Sequence, residues 1–311
     1  MSRQCVIEVN DLTKAYGDFI AVDKLNLHID EGEVFGFLGP NGAGKTTTIL
    51  MMIGLTEPTS GTIRVYGSDP AREPIKVKSI VGYLPEKVGF YEDLTARQNL
   101  EYTASLNGLS LKETSNKVGE LLDLVGLSDV SEQSIDKFSH GMKQRLGIAD
   151  VMIKDPKVVV FDEPTSGIDP EGIDRVMSII EGMVKNNITV VISSHQLHQV
   201  QKICTRIGIM SKGQLVVEGQ VDKLGRDSIG GGKFRIEVQV VKPASELIRL
   251  IEKIEGVVKV DGSGDSLLIS CNDDLRPQVA KTIVDSNSLL VQMKIEEYGL
   301  EEIYKRYFSG D

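Results

Sequence analysis

A glycine-rich segment that ends in a lysine and a threonine carries the clearest chemistry in this sequence. Residues 39–46 read Gly-Pro-Asn-Gly-Ala-Gly-Lys-Thr, between a strand-like run at 33–38 and a helix-like run at 46–54. Small residues let consecutive backbone N–H groups face an anion, and the following helix presents its positive N-terminal end to the same anion. Lys45 is predicted to reach the β and γ phosphates of a nucleotide, and the Thr46 hydroxyl to ligate Mg²⁺. The segment therefore predicts a nucleotide site, with a tight turn that binds nothing as the alternative.

The phosphate loop and the residue after it supply the predicted cofactor-binding set of this region. Its members are Gly39, Pro40, Asn41, Gly42, Ala43, Gly44, Lys45, Thr46 and Thr47.

A pair of carboxylates at the end of an apolar run predicts what happens to the nucleotide. Residues 158–161 are apolar, and Asp162 and Glu163 follow them. Such a run is typical of a strand buried on both faces of a parallel sheet, whose ligands lie at its carboxyl end. Asp162 is predicted to hold Mg²⁺ through water, and Glu163 to orient and deprotonate a water aimed at the γ phosphate. Beside a phosphate loop the pair predicts hydrolysis, whereas alone it would read as a solvated strand end.

Five further segments complete a pattern that resembles the nucleotide-binding subunit of ABC transporters. In the family's order they are Tyr16, Gly82-Tyr-Leu-Pro-Glu86, Phe138-Ser-His-Gly-Met142, Ser166-Gly-Ile-Asp169 and Ser193-Ser-His195. The resemblance is strongest to the export or multidrug (ABC-2) type. It implies an α/β P-loop NTPase fold with a helical subdomain at about 87–150. It also implies ATP and Mg²⁺ as cofactors, ATP hydrolysis coupled to transmembrane transport, a second copy of the chain, and a separately encoded integral-membrane permease.

The resemblance also implies roles for single residues of the nucleotide site. Tyr16 is expected to stack on the adenine, the alternative being a half-buried core tyrosine. Glu86 stands where the family usually has glutamine and is expected to contact Mg²⁺ and the attacking water, the alternative being an exposed loop acid. His195 is expected to hydrogen-bond the γ phosphate as a switch histidine.

A helix start at residue 139 resembles the family signature. Ser139 and Gly141 match the pattern and are expected to meet the γ phosphate of ATP bound to the opposite subunit, because the first N–H groups of a helix need an acceptor. His140 replaces the first glycine of the pattern, and Met142 replaces the terminal glutamine. Asp169 is expected at the dimer interface, where it couples the two sites.

Composition excludes several other classes of protein. The 311 residues carry a net charge of −10 with 41% hydrophobic content, which disfavours extended nucleic-acid contact. No apolar run approaches the roughly 18 residues of a membrane span, and the first residues do not resemble a signal peptide. We therefore expect a cytoplasmic protein, peripheral on the inner face of the membrane through its partner. The three cysteines, Cys5, Cys204 and Cys271, have no paired spacing and are predicted to be reduced, buried thiols.

The chain changes character after residue 224, which predicts an ATPase domain at 1–225 and a smaller domain at 226–311. Gly230-Gly-Gly232 reads as a flexible link. Beyond it a β-α-β-β-α-β order predicts a C-terminal α+β ferredoxin-like domain. It holds no detectable catalytic motif, and effector binding, self-pairing and contact with the membrane chain all remain open for it. A final amphipathic helix is predicted to pack on this domain through Leu300, Ile303, Tyr304, Tyr307 and Phe308.

Two other functions compete with transport at this stage. One is an ABC-type ATPase that drives a remodelling task, for example on ribosomes or DNA, without a membrane partner. The other is a nucleotide-gated binding module that closes on ATP without turnover, which the presence of Glu163 and His195 disfavours.

Overall fold

The chain folds as two compact units. The computed structural model describes residues 4–196, 202–221, 223–224, 234–241 and 245–297. The units are Met1–Glu218 and Gly219–Asp311. The predicted Gly230–Gly232 link and the stripe from Leu300 to Phe308 lie outside the described residues.

The first unit, with the strand that leads out of it, alternates strands and helices. In chain order the elements are β1 (Cys5–Tyr16), β2 (Phe19–Asp30), β3 (Val34–Leu38), α1 (Lys45–Met52), β4 (Ser60–Val65), α2 (Pro74–Ile80), β5 (Val81–Leu84), α3 (Ala96–Leu106), α4 (Leu111–Leu124), α5 (His140–Met152), β6 (Val158–Asp162), α6 (Pro170–Lys185), β7 (Thr189–Ser194), β8 (Arg206–Ser211) and β9 (Gln214–Gln220).

A six-stranded sheet in the order β5-β6-β7-β3-β8-β9 positions the predicted site. The neighbours from β5 to β8 pair in parallel. All residues of β3, β6 and β7 are buried, as expected for strands covered on both faces. Because parallel strands end at the same edge, the segments that follow β3, β5, β6 and β7 converge there. The parallel sheet predicted from the apolar runs is confirmed.

A second sheet packs on the same hydrophobic core. It is antiparallel, with the order β2-β1-β4. The shared core combines apolar residues of this sheet with the phenylalanines of β3, whose rings meet edge to face at 5.0 Å. Residues of α1 such as Ile49 and Met51 complete it. Packing against this core therefore holds α1, the helix that follows the phosphate loop, in place.

Three helices, α3, α4 and α5, form the region predicted as the helical subdomain. Thr95 and Gln98 form the predicted capping box at the start of α3, which satisfies two backbone donors that the helix leaves free. The buried Arg145 of α5 donates to the carbonyl of Gly126 at 2.9 Å and to that of Val125. Its guanidinium thus ties α5 to the end of α4.

The second unit has the predicted ferredoxin-like fold. Its elements are β10 (Phe234–Val241), α7 (Ser245–Glu252), β11 (Val257–Ser263), β12 (Ser266–Cys271), α8 (Arg276–Asp285) and β13 (Leu289–Glu297). The strands pair antiparallel in the order β11-β12-β10-β13. Ile236 and Val238 of β10 pack with Leu247 of α7 and Val279 of α8 in a separate core. The alternation read from the sequence therefore specified this fold.

The cysteines are free thiols, but not all are buried. Cys204 and Cys271 are buried, as predicted, whereas Cys5 is exposed. Cys5 is the first residue of β1, and burial in that strand begins at Val6. The prediction was wrong for Cys5 because absence of a pairing pattern says nothing about where a strand enters the core. Among the described helices, none has both the length and the hydropathy to cross a bilayer.

Candidate active site

The phosphate loop closes tightly against the neighbouring backbone. Gly39 and Gly44 both have positive φ, 149° and 104°. A Cβ at Gly39 would lie 2.3 Å from the carbonyl oxygen of Met210, and one at Gly44 would lie 2.5 Å from that of Ala21. Only glycine fits these positions. Gly44 also caps α1 without a side-chain hydrogen bond, so the first N–H groups of that helix remain available to an anion.

A cavity of about 430 Å³ lies over this loop, and we call it the P-loop cavity. It brings together the ends of four strands that are far apart in sequence. Its lining consists of Phe19, Ala21, residues 41–47, Glu86, Glu163, Ser166 and His195.

Most of the predicted site residues line this cavity directly. Gly39 and Pro40 do not line it, but their carbonyls accept from the Lys45 ammonium at 2.8 and 3.3 Å. Asp162 is buried behind it. The prediction that residues 39–47, Glu86, Asp162, Glu163 and His195 belong to one place is thus consistent with the geometry.

Lys45 and Glu163 form a buried pair of opposite charges. Their side chains are 6% and 10% exposed, and Lys45 Nζ lies 3.5 Å from Glu163 Oε1. That carboxylate oxygen is buried and has no hydrogen-bond partner. A buried carboxylate oxygen with an unfilled acceptor position is costly to maintain, and it is suited to receive a proton donor from the cavity.

Glu163 adopts a backbone conformation that is rare for its residue type. Its φ is 52°, in the left-handed region, which costs about 1–3 kcal/mol unless neighbours hold it. Its N–H donates to the carbonyl of Ser193 at 3.2 Å and to the Ser193 hydroxyl at 3.0 Å. Its Oε2 lies 2.9 Å from His195 Nδ1. Contacts from the end of β7 therefore fix both the backbone and the carboxylate of Glu163.

Ser193 is a site residue that the sequence analysis named only as part of a motif. It pairs with Asp162 across β6 and β7, and its hydroxyl donates to Asp162 Oδ1. One side chain thus contacts both acidic residues. Tyr83 of β5 lies near the same carboxylate: burial, and secondly the negative charge of Asp162, raises the pKa of Tyr83 to about 12.

The residues predicted to hold Mg²⁺ offer only oxygen atoms. Thr46 and Glu86 line the P-loop cavity and Asp162 lies behind it. Hydroxyl and carboxylate oxygens suit Mg²⁺, which usually keeps several waters and takes few protein ligands beside substrate phosphates. No group of three or more His, Cys, Asp or Glu side chains that could hold a metal ion occurs in the described part of the chain.

Ser139, Gly141 and Asp169 meet at a second cavity of about 250 Å³, the signature cavity. Ser139 is the N-cap of α5 and accepts from Met142 N–H at 3.2 Å. Asp169 is the N-cap of α6. The complete lining is Ser139, Gly141, Met142, Arg145, Asp169, Glu171, Gly172 and Arg175. It shares no residue with the P-loop cavity.

Tyr16, like Gly39 and Pro40, is a predicted cofactor-binding residue that lies in neither cavity lining. It is 51% exposed and is not part of the hydrophobic core. Lys14 Nζ lies 4.9 Å from its ring centre. Across the hairpin it pairs with Phe19, which does line the P-loop cavity. The sequence-based prediction did not include Phe19 among the site residues. The signal that could have found it is the alternation along β2, which begins directly after a two-residue turn.

Comparison with known proteins agrees with the fold. Residues 22–166 match the family profile described as "ABC transporter". The chain is 40% identical over 311 residues to the bacitracin transport ATP-binding protein BcrA of Enterococcus faecalis, covering 100% of this chain and 98% of that protein. It is 34% identical over 307 residues to BcrA of Bacillus licheniformis, covering 98% of each. A solved ATP-binding subunit of an ABC transporter is 30% identical with a TM-score of 0.65, covering 71% of this chain and 92% of that chain.

The chain therefore belongs to the ABC transporter family. Within it, this is an ATP-binding subunit of the export type, and it is an ATPase. Transport, rather than the remodelling alternative, is confirmed by relatives that match along the whole chain.

Proposed function

We propose that two copies of this chain enclose two ATP molecules and drive a separate membrane-spanning permease. The observation that carries the proposal is the division of contact residues between two cavities. Lys45, Glu163 and His195 line the P-loop cavity, whereas Ser139 and Gly141 line the signature cavity. No residue lines both cavities, which supports an arrangement in which a second chain brings its signature cavity to the nucleotide held in the P-loop cavity.

The charged residues of the P-loop cavity have roles that follow from their contacts. Lys45 supplies a buried positive charge to the phosphates. Glu163 has one oxygen held by His195 and another with no hydrogen-bond partner, so it can accept the proton of the attacking water. His195 is more exposed than Glu163 and bridges that carboxylate and the γ phosphate. When bound, Mg²⁺ neutralises developing phosphate charge, and Thr46, Glu86 and Asp162 are its proposed holders.

The remaining contacts follow from the arrangement of the two chains. Ser139 and Gly141 of one chain meet the γ phosphate held by the other, since they lie at the N-terminal end of α5, where the helix dipole favours an anion. Asp169 couples the two sites at the interface, and Tyr16 stacks on the adenine from the hairpin beside Phe19.

The permease places the subunit on the inner face of the membrane. No described helix spans a membrane, so attachment comes through the partner. Two relatives that match along 98% of their length are bacitracin transport proteins. We infer that this chain drives export of a peptide antibiotic of that class.

The mass of the Glu163→Gln chain in solution, with and without ATP, tests the two-chain arrangement. We expect its mass to double with ATP and its turnover to fall about 10²- to 10⁴-fold, the scale of a lost general base. Glu181→Gln, at an exposed position of α6, is the matched control and should behave as the unaltered chain. A Glu163→Gln chain that binds ATP yet stays monomeric would refute the arrangement.

Export is tested separately in the host. Loss of this chain should lower bacitracin resistance, and the Glu163→Gln chain should fail to restore it. Unchanged resistance to bacitracin would exclude bacitracin as a substrate of the transporter.

A further inference from the structure

His140, at the first position of α5, contacts a loop from another part of the chain. Its Nε2 lies 2.9 Å from the carbonyl oxygen of Ser166. A carbonyl can only accept, so Nε2 carries the proton and donates. This contact exists in both the neutral ring with Nε2–H and the fully protonated ring, and it does not depend on the charge of the histidine.

The loop that His140 holds runs between the two cavities. Ser166 lines the P-loop cavity, and its N–H donates to the carbonyl of Glu163 at 3.1 Å. Three residues later, Asp169 lines the signature cavity and caps α6. A displacement of this segment would therefore move Glu163, the proposed general base, at one end and the lining of the signature cavity at the other.

Two glycines next to this contact have little space for a larger side chain. Gly167 has a φ of +70°, and a Cβ placed there would lie 3.4 Å from His140 Cδ2. On the next residue of the helix, a Cβ at Gly141 would lie 3.2 Å from Ile168 Cγ2. The start of α5 and residues 166–168 thus lie beside each other, with glycine on one side of each approach. A glycine at position 140 would supply neither the ring nor the donor.

We infer that His140 is a positioning residue that sets the loop at 163–169 against the start of α5, so that the chain's two nucleotide contacts are aligned together. The inference rests on the proposed two-chain ATPase for its effect on turnover. The contact itself lies within one chain. Its partners are a backbone carbonyl and a glycine, so the ring can be replaced without changing any group that contacts nucleotide.

Two variants separate the hydrogen bond from the ring. His140→Phe keeps a planar ring against Gly167 and removes the donor. His140→Gln keeps an N–H donor at the end of a side chain of similar reach. His28→Phe, at an exposed histidine of β2 that lines neither cavity, is the control.

We expect His140→Phe to lower turnover at saturating ATP by about three- to tenfold, the scale of one neutral hydrogen bond. Affinity for ATP should not change, since the P-loop is untouched. Amide hydrogen exchange of the nucleotide-free chain should become faster at residues 165–169. His140→Gln should restore both slow exchange and most of the turnover, and His28→Phe should change neither.

Three results would overturn the inference. They are unchanged exchange at 165–169 in His140→Phe, faster exchange with full turnover, and a His140→Gln chain as impaired as His140→Phe. The exchange measurement does not require hydrolysis. If the unaltered chain neither hydrolysed ATP nor paired, the proposed function would fail, while exchange would still decide whether His140 positions the loop.

Discussion

His195 Nδ1 lies 2.9 Å from Glu163 Oε2, and this contact joins the ends of two neighbouring parallel strands. The other oxygen of the same carboxylate lies 3.5 Å from Lys45 Nζ. The carboxylate of Glu163, the proposed general base, is therefore held from one side by the histidine and approached from the other by Lys45, the proposed phosphate-binding residue. Substitution of either neighbour should have a distinct kinetic effect, because one acts on orientation and the other on the bound anion.

Replacement of His195 by Ala should lower turnover more than ATP affinity. The substitution removes the group that orients Glu163 Oε2, and we expect a loss in turnover of about 10- to 10²-fold, at or below the low end of general-base effects. His195→Gln retains a donor and should recover part of the loss. Steady-state kinetics beside equilibrium nucleotide binding would measure the two effects. A variant with full turnover would remove His195 from the mechanism.

Lys45→Ala should instead weaken nucleotide binding. Lys45 is 6% exposed and donates to Gly39 O and Pro40 O, so its charge is confined to the cavity floor and is available to phosphate. Lys112→Ala removes an exposed lysine of α4 and serves as the control. Titration with a fluorescent ATP analogue would report both affinities. Equal affinity of the Lys45→Ala and unaltered chains would contradict the phosphate-loop assignment.

Ser193→Ala should reduce both stability and turnover. Its hydroxyl donates to Asp162 and accepts from Glu163 N–H. Its removal leaves a buried carboxylate oxygen without that donor, at a cost of about 1–3 kcal/mol. Ser178→Ala is the matched control, since its hydroxyl donates only to the Asp174 carbonyl on its own exposed helix face. Denaturant unfolding would compare the free energy of unfolding of each variant with that of the unaltered chain. An equal loss of stability in Ser193→Ala and Ser178→Ala would show that the Ser193 contacts do not stabilise the fold beyond an ordinary surface serine.

Sequence patterns specified the ends of the strands but not the contacts between them. The apolar runs that lead into the phosphate loop, Asp162 and His195 predict parallel strands, and parallel strands bring their ends together. Ser193 could not be placed against Asp162 without the order of β6 and β7 in the sheet. The positive φ of Glu163 likewise depends on contacts from another strand.

Local geometry explains the other departures. At the β1–β2 hairpin, Tyr16 and Phe19 face each other across the turn, and only the backbone path decides which ring reaches the cavity. The second unit was easier to predict, because its alternation and its short turns specify strand pairing locally.

Asp150 of α5 gives the free energy of unfolding a predictable dependence on pH. Burial raises the pKa of the Asp150 carboxyl above its usual 3.8, and a hydrogen bond with Thr103 and the charge of Lys154 oppose the rise. Since the pKa is higher in the folded chain, folding favours the protonated form. The contribution of Asp150 is therefore most favourable below pH 3.8 and is lost as pH rises through the folded pKa.

The comparison that isolates this effect is the unaltered chain against Asp150→Asn, which mimics the neutral carboxyl. The free energy of unfolding of the unaltered chain, relative to Asp150→Asn, should fall as pH rises from about 4, by about 1.4 kcal/mol for each unit of pKa elevation. The hydrogen bond with Thr103 and the charge of Lys154 oppose this trend, but both contribute less than burial. Urea unfolding at several pH values would measure the difference. A difference that is constant, or that grows with pH, would mean that Lys154 compensates the buried carboxylate in full.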